Sequence, residues 1–98
     1  MTAPNAMEKG YAWILQEAKD LAKVERIPIN RLEWVWDAKG GAALPEPSLC
    51  FDLRGTGHCL SFSEAEVDDC GEPDLDSKRP IVTRRLQDTY RRLKHEMG

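Results

Sequence analysis

The chain has no long apolar run. Its longest, Tyr11 to Leu15, falls far short of the ~20 residues that a membrane-spanning helix needs. The opening residues, Met1 to Asn5, show neither the basic start nor the apolar stretch of a secretory signal. Cysteine is scarce and odd in number: Cys50, Cys59 and Cys70, with no Cys-x-x-Cys spacing. No disulfide framework is expected from that, and three reduced thiols in a cytoplasmic protein fit best. Charge of one sign is also missing. A net charge of −3 excludes a uniformly basic nucleic-acid binder and a strongly acidic tail.

Catalytic signatures are missing as well. There is no Gly-x-Ser-x-Gly elbow and no glycine-rich loop leading into a helix, and the only histidines are His58 and His95. Gly55-Thr56-Gly57 joins two apolar alternating segments, so no helix N-terminus follows it to hold a phosphate. Asp68 and Asp69 are neighbours on a helix and point apart. The sequence therefore points away from an enzyme, with no catalytic residue and no cofactor assigned. Cys50, His58, Cys59 and Cys70 are the one metal suspicion, but their spacing is irregular. In the hairpin register expected below, His58 points away from Cys50 and Cys59, so no metal site is expected.

What is present is enough for one domain. Ninety-eight residues bury roughly 60–65% of their unfolded surface, which supports a single modest core. Met7, Tyr11, Ile14, Leu15, Ala18, Leu21 and Ala22 recur at steps of three and four, the stripe of an amphipathic helix. Asn5 and Glu8 have capping-box spacing at its start, and Pro28 ends it near Arg26. Leu32, Trp34 and Trp36 alternate with Glu33, Val35 and Asp37, as in a half-buried strand, and both tryptophans are expected in the core. Leu49 to Leu53 and His58 to Phe62 then make a hairpin. With Gly55-Thr56 as its two-residue loop, Leu53 faces His58, Phe51 faces Leu60 and Leu49 faces Phe62. Cys50 and Cys59 are then diagonal on one face.

Ser63-Glu64-Ala65-Glu66 is a second capping box and opens a short helix through Cys70, stopped by Gly71. Pro80 suits the first turn of a final helix with the stripe Val82, Leu86, Tyr90, Leu93 and Met97. The fold class expected is α+β: a two-layer sandwich, with a three-stranded antiparallel sheet and the N- and C-terminal amphipathic helices on one face. The order is α-β-β-β-short α-α. Residues 1–98 read as one globular domain, with 1–4 flexible, 38–48 a mobile loop and 71–79 an acidic loop.

Two surfaces are candidates for contact. On the first helix Trp13 and Val24 lie opposite the core stripe, flanked by Glu17 and Asp20. A tryptophan there either is covered by another part of the chain or anchors a partner. The second surface follows from charge. Residues 63–76 hold seven acids and no base, while 77–98 hold seven bases and two acids. Arg84, Arg85, Arg91, Arg92 and Lys94 could meet a phosphate backbone, although they spread around the helix rather than forming one ridge. The function expected is a small, non-catalytic interaction or regulatory protein, with a protein partner or a second copy of itself. The profile fits a bacterial accessory protein. A nucleic-acid-associated protein using the basic helix is the alternative, and a small enzyme or metalloprotein around His58 and the cysteines the third reading.

Overall fold

A computed structural model describes residues 6–37, 43–71 and 78–97. In chain order they form α1 (Ala6–Val24), β1 (Ile29–Asp37), β2 (Ala43–Leu53), β3 (Thr56–Ser61), α2 (Glu64–Gly71) and α3 (Arg79–Met97). The order and the α+β class are those the periodicities predict. The expected capping residue Asn5 lies outside the described residues.

Among the described side chains, both long helices bury the stripes read from the sequence. Ile14, Ala18, Leu21 and Ala22 of α1 and Val82, Leu86, Tyr90 and Leu93 of α3 are in the core, with Tyr11 and Leu15 packed partly against it. α1 ends in a Schellman cap: Ile27 N–H donates to Ala22 C=O and Arg26 N–H to Lys23 C=O. Arg26 takes the left-handed conformation there, with φ 57°, a place usually given to glycine.

The three strands are antiparallel in the order β1-β2-β3. Alternation sends Leu49, Phe51 and Leu53 of β2 to one face, where all three are buried. The helices cover that face: Phe51 meets the Tyr90 ring at 5.7 Å, and Trp34 donates its indole N–H to the Tyr11 carbonyl. The opposite face carries Glu33, Cys50 and Cys59 in one row across the strands. β1 carries a bulge, since Asn30 pairs with Asp52 and Glu33 with Cys50, and Arg31 sits within it at φ 56°.

α2 lies against α1. Its capping box is reciprocal as predicted: Ser63 N–H donates to Glu66 Oε1 at 3.0 Å and Glu66 N–H to Ser63 Oγ at 3.2 Å. Gly10 of α1, which only weakens an isolated helix, has a packing reason here. A Cβ at Gly10 would land on the Val67 carbonyl oxygen, so the absent side chain lets the two helices touch.

Three expectations need correction. The hairpin turns one residue earlier than predicted: Arg54-Gly55 is the loop, and Leu53 pairs with Thr56. Both loop residues have positive φ, 52° and 82°, as a type I′ turn requires. Phe51 therefore pairs with His58 and Leu49 with Leu60. The shift puts Cys50 directly opposite Cys59, and they form a disulfide with a Cα separation of 4.1 Å. Only Cys70 is a free thiol, so the expectation of three reduced cysteines is overturned. Finally, residues 43–48 of the loop expected over 38–48 belong to β2, which already runs from Ala43, while 38–42 lie outside the described residues. Pro45 and Pro47 are tolerated because the ladder is irregular there. Residues 44–47 of β2 stand against one residue of β1, and β3 pairs no farther along β2 than Ser48.

Candidate functional site

β1 alternates Leu32, Trp34 and Trp36 toward the helices, and Tyr11 in α1 reaches down to meet them. The Tyr11 ring lies 4.8 Å from Trp34 and 5.6 Å from Trp36, edge to face in both cases. Trp34 in turn stands 5.7 Å from Phe62, which is fully buried. These rings form a continuous run from the core outward, held by quadrupole-compatible contacts. At its inner end the Arg85 guanidinium covers Phe62 at 4.7 Å. At its outer end Trp36 is 52% exposed. Trp34 is half-buried against the core as expected, but Trp36 is not a core residue. The Tyr11 ring packs edge-on against one side of it.

Trp13 has the opposite fate. It is half-buried, packs against the core, and carries the Arg79 guanidinium over its ring at 4.8 Å. The start of α3 supplies this cover, from a part of the chain remote in sequence. On the same helix Val24 is 72% exposed, Asp20 accepts a hydrogen bond from Gln16, and Glu17 is half-buried. The structure thus brings Trp13 to α3 and leaves Val24 outward, while the tryptophan most open to solvent is Trp36. Its place near the end of an alternating strand resembles any core position in sequence, and only its exposure in the folded chain sets it apart.

The acidic segment and the basic helix meet. Arg85 pairs with Glu66 at 2.9 Å and also donates to the Ser61 carbonyl. The Asp69 carboxylate accepts the Lys78 backbone N–H, and Arg79 donates to the Cys70 carbonyl. Arg91 instead pairs with Glu25 of the turn after α1, at 3.0 Å. Of the five bases singled out for nucleic acid, Arg85 and Arg91 are therefore engaged within the fold, and Arg84, Arg92 and Lys94 are exposed. Burial pushes the Glu66 carboxyl up, but hydrogen bonds from Ser63 and the charge and hydrogen bond of Arg85 outweigh it. Its pKa is held below the ordinary value.

The outer sheet face holds a shallow hollow of about 270 Å³ whose lining includes Arg31, Glu33, Cys50, Asp52 and Cys59. Arg31 and Asp52 face each other there at 3.7 Å. With both sulfurs joined, neither Cys50 nor Cys59 is a thiolate ligand. His58 packs toward Phe51, on the other side of the sheet, at 5.6 Å. Among the described residues no cluster of three or more His, Cys, Asp or Glu could hold a metal ion. Cys70 is fully buried, and burial, with the Asp69 charge beside it, pushes its thiol up to about 11. Among the described residues no helix is long and apolar enough to cross a membrane. In comparisons with known protein families, curated proteins and solved structures, the chain matches none of them.

Proposed function

We propose that the protein is a small, non-catalytic interaction or regulatory protein of the cytoplasm that works by protein–protein contact at the outer edge of β1. The observation that carries this reading is Trp36, half-exposed on an edge strand and in contact with the Tyr11–Trp34 aromatic pair through Tyr11. Tryptophan is among the residue types most enriched at interface hot spots.

The two sheet edges are not equal. β3 is six residues long, and Arg85 already occupies the carbonyl of its last residue. β1 is nine residues long, and among the described residues its outer side pairs with no strand. The partner proposed is a second copy of the chain. An antiparallel pairing of two β1 strands centred on Trp34 sets Trp36 against Leu32 of the second copy, on the same sheet face. By the two-fold relation Leu32 of the first copy faces Trp36 of the second in the same way. Those pairs give a self-complementary, two-fold contact that continues the sheet across both copies. The bulge at Arg31 confines the pairing to the part of the strand that holds Trp36. A nucleic-acid role has less support, since Arg85 and Arg91 are engaged in intramolecular pairs.

Sedimentation velocity over a range of concentrations tests the proposal. The parent chain is expected to sediment as a dimer at the upper concentrations, and Trp36→Glu as a monomer with the same circular dichroism. A parent that stays monomeric throughout, or a Trp36→Glu variant that dimerises equally well, overturns it.

A further inference from the structure

The disulfide lies apart from the β1 edge. It crosses from the central strand β2 to the edge strand β3, on the sheet face turned away from the helices. Cys59 is exposed and Cys50 half-buried. The residues it joins are already directly paired in the ladder, and the inward neighbours Leu49, Phe51 and Leu60 hold the same two strands through the core. Opening the bond therefore requires no core group to move. Its ten-residue hairpin is also a short loop to close, so the bond adds little constraint to the unfolded chain. Exposed disulfides of this kind are the labile ones. In a reducing compartment such bonds are transient or redox-sensing rather than structural.

We propose that Cys50 and Cys59 form a reversible dithiol–disulfide site that exchanges with low-molecular-weight thiols while the fold stays intact, and that Cys59 is the sulfur attacked. A thiolate must approach in line with the S–S bond, from the side opposite the leaving sulfur. For Cys59 that approach comes from beyond the edge strand, over open solvent. For Cys50 it comes over β1, where the Glu33 carboxylate is paired beside Cys50 and repels an anion. In the first step the thiolate sulfur bonds to Cys59 Sγ, the Cys50–Cys59 bond breaks, and its electron pair leaves on Cys50 Sγ, which takes a proton from water. In the second step another thiolate attacks the external sulfur of the mixed disulfide. Cys59 leaves as a thiolate and is protonated. Two external thiols are oxidised to one disulfide, and the protein gains two electrons and two protons.

Cys70 provides an internal control, because it is buried in the core and reports unfolding. The full chain is equilibrated without denaturant in mixtures of reduced and oxidised glutathione. It is then alkylated and the labelled cysteines are counted by mass spectrometry, with circular dichroism in parallel. The expected result is two labels, at Cys50 and Cys59, appearing together with Cys70 unlabelled and the spectrum unchanged, and lost again on reoxidation. Labelling that appears only with Cys70 and with loss of the spectrum overturns the proposal, as does a chain that never forms the bond or never opens it. Single variants test the direction of attack. Cys59 in Cys50→Ser is expected to form the glutathione mixed disulfide several-fold faster than Cys50 in Cys59→Ser. Equal or reversed rates overturn the assignment of Cys59.

Discussion

Tyr90 of α3 donates its phenolic hydrogen to the Ala18 carbonyl of α1 at 2.9 Å, with both residues fully buried. This bond ties the two long helices together over the sheet, at a point where the phenol would otherwise be an orphaned polar group. Tyr90→Phe keeps the ring against Phe51 and removes only the hydroxyl, so a loss of about 1 kcal/mol is expected in urea unfolding. Burial also pushes the phenol from its ordinary value of 10.0 up to about 12. Stability from this group is complete below the ordinary value and falls as pH rises toward the folded one, because only the unfolded chain ionises in between. Tyr90→Phe should flatten that alkaline decline.

Gly10 makes the contact of α1 with α2 possible, since any side chain there meets the Val67 backbone. By helix propensity alone Gly10→Ala would stabilise α1 by about 1 kcal/mol. The clash wins, because backbone on the facing helix cannot yield as a flexible side chain would. Thermal and urea denaturation are expected to show a net loss of about 1–3 kcal/mol.

The pairing of Glu66 with Arg85 predicts an acid response of opposite sign to that of Tyr90. The carboxyl is held below its ordinary value of 4.5, so its contribution is full above that pH and is lost as pH falls through the lowered folded value. Glu66 is 19% exposed and Arg85 38%, so solvent screens the pair and its worth is limited to about 0.5–1 kcal/mol. Glu66→Gln can still accept the Ser63 N–H and so isolates the charge. Its stability should fall by that amount at neutral pH and converge with the parent below the folded pKa.

Much of this fold was legible because the signals are local. The stripes of α1 and α3 repeat within each helix, and the Ser63–Glu66 box is complete within four residues. The apolar face of β2 was equally plain. Its register was not, because moving the turn by one residue shifts the pairing by two and leaves every side chain on its own face. Apolar alternation cannot distinguish those registers, yet only one of them puts Cys50 against Cys59. The disulfide was hidden by that single step. Pro45 and Pro47 read as loop for a similar reason: their place in an irregular part of the ladder depends on strands elsewhere. The tryptophans failed differently. A helical wheel gives the direction of Trp13 but not the arrival of Arg79 over its ring, and alternation places Trp36 inward without showing how much of it the fold leaves exposed.

Amide hydrogen exchange, followed residue by residue at low and high protein concentration, tests the role of the β1 edge most directly. Amides within residues 32–36 are expected to become slower to exchange as concentration rises, while those of β3, Thr56–Ser61, do not change. Exchange in β1 that is independent of concentration, or protection gained at β3 instead, would contradict that role.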